Sequence, residues 1–446
     1  MRRNDPPGPR YITLRAAYQL RRDPLAFCAD AARRFGDIVS FRVGPIRAFM
    51  VFHPDHMRHV LQDNHQNYVK GMLLEKTKVL IGDGLFSSEG DSWRRQRRIV
   101  QPAFHRQRVA GFAGTTTTAT GAMLDRWEPA AKSGTPLDLA SEMSRVTLDV
   151  IGRVLFDQDL TRKADEVGEA LLVALDFVNR RAMSLVVLPV GVPTPANRRF
   201  QRAVRVLDRV VYDIIESRRR AGGGATDLLS LLVDARDETG DGLTDLQLRD
   251  QVLTFVLAGY ETTAVALAWT WLLLGEHPGV EERVRAEVRS ALDGRTPAVD
   301  DLAALPYTRM VIEEAMRLYP PLWAFPRQAI AADKIGGYDI PAGAMFSIIP
   351  ALTHRMPAFW PDPLRFDPER FTPERVAARP RCAYAPFGGG PRQCIGAEFA
   401  VAEAQLIVAM VVQRYRISVL PSRSFEPIVR VTQRPRLGVP AVVAAA

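Results

Sequence analysis

Cysteine is scarce. Three thiols, Cys28, Cys382 and Cys394, stand in 446 residues. The odd count and the missing framework spacing exclude a disulfide-stapled secreted module and point to a reducing, cytoplasmic setting. No second Cys or His lies at short spacing from any of them, so a zinc site is excluded as well. The start, MRRNDPPGPRYITL, has basic residues with no apolar stretch behind them, and neither a signal peptide nor an N-terminal membrane anchor is expected. Only one run, Val252–Leu274, is long and apolar enough to span a bilayer, and Glu261 interrupts it beside Gly259, Thr262 and Thr263. A buried core helix with a polar notch explains that run better. Internal repeats and low-complexity tracts are missing. So are a Rossmann fingerprint and a C-x4-C-x2-C spacing, and no fused flavin or iron–sulfur domain is expected.

What the chain does have is ample apolar content. Hydrophobic residues make up 47% of it, enough for a large core, and the length suits one large helical domain. The net charge of +9 suggests acidic partners. Its densest cluster, Arg94, Arg95, Arg97 and Arg98, follows Trp93. With no zinc-finger spacing, RNA-binding aromatic signature or basic tail, nucleic acid is not the expected partner. A solvated helix face or a docking patch for an acidic electron carrier fits better. Cys28 and Cys382 are expected to be inert.

Along the chain, residues 1–19 read as a loosely attached leader and 20–446 as a single domain. Asp23-Pro24 caps a first helix to about Arg34. IVSFRV and IRAFMVF form a hairpin around Gly44-Pro45. Asn67 to Trp93 is a long irregular loop, and Pro102 to about Arg220 is helical, with Phe200, Val204, Leu207, Val211 and Ile214 on one face. The apolar stretch Met183 to Pro195 is either a loop packed on the core or a lid over an entry channel. Ala221 to Gly224 reads as a surface loop. A central helix starts at the capping box Thr244–Gln247 and ends near His277-Pro278. Phe255, Ala258, Gly259, Thr262, Ala266, Trp269 and Leu273 share one stripe of it. The small residues in the middle of that stripe make a notch that a flat group could fill.

Residues Phe387 to Gly396, FGGGPRQCIG, place Cys394 on a glycine-rich loop at the mouth of a helix. Free N–H groups and the helix dipole favour a thiolate there. The glycines let a flat partner approach the backbone. The nearest upstream histidine, His354, lies on another segment, which speaks against a cysteine–histidine nucleophile. A single thiolate on an open loop suits haem iron.

The loop resembles the haem-ligand signature of the cytochrome P-450 family, F-x-x-G-x-R-x-C-x-G, at Phe387, Gly390, Arg392, Cys394 and Gly396. Ala258 to Thr263, AGYETT, is similar to the family's oxygen-activation motif. Glu314 and Arg317 match its E-x-x-R, and Arg370, in PERF, matches the arginine that completes that ion network. The resemblance covers about residues 20 to 440. One departure is Met356, where an acidic residue is usual.

The resemblance implies a fold that is mainly α with a minor β region, with haem b between the long central helix and the cysteine-ligand loop. It also implies roles for single residues. Cys394 is the axial iron ligand. Phe387 lies against its sulfur, Gly396 opens the following helix, and Ala258 and Gly259 flank the haem. Trp93, Arg97, Arg327 and Arg392 hold its propionates, for which guanidinium–carboxylate pairing is well suited. Thr262 and Glu261 deliver protons into an otherwise dry cavity. Glu314, Arg317 and Arg370 brace the core behind the cysteine loop. By position, Leu73, Phe86, Phe177, Leu322, Phe325 and Val431 line an apolar substrate pocket.

The expected activity is insertion of one oxygen atom of O2 into a lipophilic terpenoid, fatty acid or polyketide. Arg392 near the thiolate and the PERF segment resemble the microsomal and fatty-acid or terpenoid-oxidising branches. Electrons are expected from a separate ferredoxin or flavodoxin with a NAD(P)H-dependent reductase, and the enzyme is expected to be a monomer. The alternatives are a peroxygenase or isomerase on the same fold, a non-catalytic haem protein, and a cysteine-nucleophile hydrolase.

Overall fold

The longest helix, Asp245–Glu276, begins where its cap is written into the chain. The Thr244 hydroxyl accepts from the Gln247 N–H at 3.2 Å, and the Gln247 side chain accepts from the Thr244 N–H at 3.0 Å. It ends before Pro278, which opens the next helix, Pro278–Leu292. Almost all of its turns are buried, and its principal neighbour is the helix Leu139–Phe156. By length and composition this is the one helix among the described residues that could cross a membrane, and 72% of its most apolar window is buried inside the fold. Within it, Trp269 is wholly covered and stacks on Tyr319 at 3.8 Å between ring centres. Truncating such a side chain costs about 3–5 kcal/mol.

This computed structural model describes residues 4–9, 13–156, 164–182, 184, 187–221, 227–238, 240–421 and 425–446. Further long helices, Arg106–Ser133, Ala164–Ala182, Pro195–Ala221 and Ala397–Arg414, pack around the central one in a single large apolar core. The β region lies to one side with its own smaller core. The hairpin read from the sequence is there, as Ile38–Val43 paired antiparallel to Ile46–Val51. The sheet continues through Met345–Ile348, parallel to the second strand, then Phe325–Ala329 and Tyr68–Val69. A second sheet joins Leu137–Asp138, Pro440–Ala445 and Tyr415–Val419, and a short hairpin pairs Pro427–Val429 with Gln433–Pro435.

Two expectations are corrected, for the first helix and for the Asn67–Trp93 stretch. The helix capped by Asp23 runs Pro24–Phe35 but is the second one, because Leu14–Arg22 precedes it under a Thr13 cap. The leader is tied down in part: Asn4 bonds Asp339 and Gly337, and the carbonyls of Pro6 and Pro7 accept from Ser40. The Asn67–Trp93 stretch contains short helices at Met72–Glu75 and Lys78–Ile81, and Trp93 itself sits in the helix Gly90–Val100. In the expected lid, Met183, Leu185 and Val186 lie outside the described residues, as do Gly222 to Gly224 of the expected surface loop. The rest of the lid stretch is pinned to the following helix, where Asn197 donates to the Pro189 and Val192 carbonyls and Gln201 to that of Val190.

Candidate functional site

The cysteine loop is built by glycine where no other residue fits. At Gly390, where φ is 66°, a Cβ would fall 1.9 Å from the Leu61 carbonyl oxygen. The loop closes on itself through Gln393 N–H to Gly390 O and Cys394 N–H to Phe387 O, both at 3.0 Å. Gly396 then starts the helix Ala397–Arg414 and turns its N–H toward the Cys394 sulfur. Phe387 packs against the main core. Phe104 joins this loop to the central helix: its ring approaches Gly396 and lies 5.5 Å from that of Phe255, one turn before Ala258. A cavity of about 380 Å3 opens beside the sulfur, lined by Trp93, Arg97, Gln101, Gly390, Pro391, Gln393 and Cys394.

Cys394 is accessible to water yet enclosed by protein, so it borders an internal space rather than bulk solvent. Enclosure pushes its thiol pKa up, while the Gly396 N–H and the Arg97 charge pull it down, and the upward effect wins. The Gly396 N–H at the helix mouth favours the thiolate, and burial outweighs it while no cation sits at the sulfur. A cation bound there would reverse that balance. Such a donor suits a soft metal ligand better than a free nucleophile. Cys28, buried beside Met50, has its thiol pushed up to about 12, and Cys382 is also raised by burial.

Around the loop the fold gathers more positive charge than it neutralises. Arg392 lies 3.9 Å above the Trp93 ring, donates to the Ser88 carbonyl at 2.9 Å and pairs with Glu89. Arg97 donates to the Gln393 carbonyl at 3.2 Å, and Arg327 to its neighbour Pro326 at 2.8 Å. Burial, then mutual repulsion, lowers Arg392 to about 10, and burial alone lowers Arg327 to about 10. Lys70 belongs to the same group. Its N–H bonds Glu89 at 2.7 Å, its ammonium reaches the Phe86 carbonyl, and burial followed by the Arg392 and Arg327 charges holds its pKa well below normal. Among the described residues, Lys70, Arg327 and Arg392 share one carboxylate, Glu89, and Arg97 has no carboxylate partner. That imbalance in a buried place calls for an anion with more than one charge. Together, one enclosed thiol on an open glycine loop and an under-neutralised cationic rim fit a haem, whose iron Cys394 would hold and whose carboxylates the rim would pair. Lys70 was missed because nothing near it in the chain marks it; the fold delivers it.

On the central helix, Ala258 is exposed amid buried turns and Thr262 is half-buried. The Thr262 hydroxyl donates back to the Ala258 carbonyl at 2.5 Å, leaving its lone pairs free. The Glu261 carboxylate accepts from the Thr432 hydroxyl at 2.7 Å. Gly259 does not face the notch: a Cβ there would meet the Ile151 side chain at 3.0 Å, so this glycine serves close packing against the helix Leu139–Phe156. Thr263, buried, bonds Glu403 on the cysteine helix, whose carboxyl is held well above the usual range by burial.

Behind the loop, Glu314 and Arg317 are wholly buried and joined by two hydrogen bonds, of 2.6 and 2.8 Å. Arg370 Nε stands 3.3 Å from Glu314 Oε1, an ion pair without hydrogen-bond alignment. Arg317 also donates to the carbonyls of His354, Pro363 and Arg365. His354 Nε2 accepts from the Ala385 N–H at 2.9 Å, two residues before the cysteine loop. The ion network is thereby connected to the ligand loop through one buried imidazole.

The substrate residues divide. Phe325 lies on a sheet strand with its ring beside Gly388 of the cysteine loop, and Leu322 bridges to Thr432. Val431, 39% exposed, is at the tip of the short hairpin. Phe86, 40% exposed, has the Lys70 ammonium over its ring. Phe177 stacks on Phe200 at 4.1 Å, a contact between helices rather than a free wall. Leu73 is on the helix Met72–Glu75, and its side chain lies outside the described residues.

These features have counterparts among known proteins. The cytochrome P-450 family profile matches residues 6–439. Cyclooctat-9-en-7-ol 5-monooxygenase of Streptomyces melanosporofaciens is 40% identical over 404 residues, 90% of this chain and 87% of that protein. Pentalenene oxygenase of Streptomyces avermitilis is 34% identical over 419 residues, 93% of this chain and 92% of that one. Among solved structures, the cytochrome P-450DA heme domain superposes with a TM-score of 0.91 at 28% identity, covering 99% of this chain and 98% of its own. The fold is that of a cytochrome P-450. The chain belongs to the cytochrome P-450 family and is a monooxygenase of that family, with terpenoid-oxidising relatives.

Proposed function

We propose that the chain inserts one oxygen atom of O2 into a cyclic terpenoid, by hydroxylation or epoxidation. For hydroxylation the balance is RH + O2 + 2 e− + 2 H+ giving ROH + H2O. The two electrons come from a separate ferredoxin or flavodoxin and its NAD(P)H-dependent reductase, and the enzyme works as a cytoplasmic monomer. When bound, haem supplies the redox chemistry that activates dioxygen. The protein supplies everything around it. Cys394 would hold the iron, while Lys70, Arg97, Arg327, Arg392 and Trp93 would hold the carboxylates. Phe387 and Phe104 would limit water on the protein side of the sulfur once the haem covers its open side. Thr262 and Glu261 carry protons on the opposite wall.

The observation that supports this reading best is the pairing of the single-cysteine loop with a small-residue notch bearing a hydroxyl and an acid. A peroxygenase needs no such proton supply. The terpenoid choice follows the relatives named above and the apolar character of Leu322, Phe325 and Val431. The test is reconstitution with ferredoxin, reductase and NAD(P)H against cyclooctat-9-en-7-ol, pentalenene and a long-chain fatty acid. Oxygenated terpenoid made only with the redox proteins is the expected result. Full turnover on peroxide alone, or product from the fatty acid only, would overturn it.

A further inference from the structure

The acid and the alcohol of the notch are not bonded to each other. Thr262 gives its proton to the Ala258 carbonyl, and Glu261 takes one from Thr432. Each half of the pair is bonded elsewhere: the Thr432 hydroxyl holds one oxygen of Glu261, and no bond joins that carboxylate to the Thr262 hydroxyl, so Glu261 must leave Thr432 to turn toward Thr262. The partner of Glu261 sits in a particular place. Thr432 is buried, directly before the strand Gln433–Pro435, and Gln433 anchors that strand: its N–H bonds the Pro321 carbonyl, its side chain the Pro320 carbonyl, and its own carbonyl accepts from Trp269 of the central helix. On the other side of Thr432 the hairpin tip is open. Val431 is exposed, and Arg430 reaches across to Asp176 of the helix Ala164–Ala182 at 3.2 Å. Leu322, expected at the substrate, is the bridge partner of Thr432. The segment carrying Thr432 therefore joins the candidate substrate wall, the helix at Asp176 and the proton-carrying acid.

We propose that Thr432 is a positioning residue that latches Glu261 away from Thr262, and that a substrate seated against Leu322 and Val431 releases the latch. This rests on the monooxygenase reading and adds a condition to it: protons reach the notch when the pocket is filled. Val431 at the hairpin tip and Leu322, the bridge partner of Thr432, sense the guest, and one hydroxyl transmits the result. The Arg430–Asp176 pair is partly exposed and so a weak tether, which a guest moving the helix can break.

The test compares the wild-type holoenzyme with Thr432→Val, Thr432→Ser and Asp176→Asn. Substrate Kd is read from the spin-state change of the haem spectrum, and NAD(P)H oxidation is measured with no substrate present. If binding must break the Glu261 bond, removing the hydroxyl makes binding tighter by about three- to tenfold, the effect of one ordinary net hydrogen bond. Substrate-free NAD(P)H oxidation should rise by a similar factor, with the electrons appearing as peroxide or water. Thr432→Ser should restore both values, and Asp176→Asn should shift both in the same direction by less. A merely structural threonine would lower the melting temperature and leave Kd and substrate-free oxidation unchanged; that result would overturn the latch. If no variant, wild type included, shows a thiolate-type haem spectrum, the monooxygenase reading falls and the latch with it.

Discussion

Acid should loosen this protein through one residue, His354. Its imidazole is fully buried, its carbonyl accepts from Arg317, and its Nε2 accepts from the Ala385 N–H at the entrance to the cysteine loop. An accepting nitrogen cannot also carry a proton, and burial, followed by the Arg317 charge, lowers its pKa from 6.5 to about 3. Below pH 6.5 the unfolded chain binds a proton at this residue and the folded chain does not. Stability is therefore complete above about pH 6.5 and declines as the pH falls toward 3. The slope is about 1.4 kcal/mol per pH unit, or about 2.7 kcal/mol between pH 6.5 and 4.5. Against a total of about 5–15 kcal/mol, that is a large share. Replacing His354 with Gln keeps an acceptor for Ala385 but cannot titrate. Urea unfolding of both proteins, followed by far-ultraviolet circular dichroism and the Soret band between pH 4 and 7, isolates the effect. The wild type should lose stability faster than the variant by about 1.4 kcal/mol per unit. The Soret band should move before the helices melt, because the bond that fails holds the ligand loop. Parallel pH slopes for the two proteins would refute the argument.

Other outcomes follow from the same geometry. Cys394→Ala should abolish the thiolate-type Soret band of the reduced carbon-monoxide complex while the helical circular dichroism persists. Thr262→Ala should keep that band but divert electrons from product to peroxide; unchanged coupling would count against the proton role. Lys70→Met should speed haem loss to apomyoglobin by about tenfold, because one charge-assisted contact to a carboxylate is removed. Arg317→Ala leaves Glu314 buried with Arg370 at 3.3 Å as its one charged partner and the Asp367 N–H as its one hydrogen bond, and strips three carbonyls of their donor. It should cost at least about 3–5 kcal/mol, read as a lower urea midpoint or as failure to accumulate haem-loaded protein.

Much of this protein is readable along the chain because its signals are local. The capping box at Thr244–Gln247 involves residues three apart, and the structure keeps both of its bonds. The cysteine loop is ten consecutive residues, two of whose glycines, Gly388 and Gly390, take a positive φ, and Glu314 and Arg317 meet one helical turn apart. What depends on distant segments could not be read that way. Lys70, Arg327 and Arg392 become one cationic rim only when strands and loops from opposite ends of the sequence close on Glu89. Gly259 looks like part of the notch in a helical projection, and only the fold adds that Ile151 on the neighbouring helix leaves no room for a larger side chain there. His354 is one of seven histidines until the fold sets it between Arg317 and Ala385. The protonation of Cys394 and the partner of Glu261 were likewise decided in three dimensions. Desolvation and long-range hydrogen bonds depend on what surrounds a group, and a linear order of residues carries that only where the surroundings are its own neighbours.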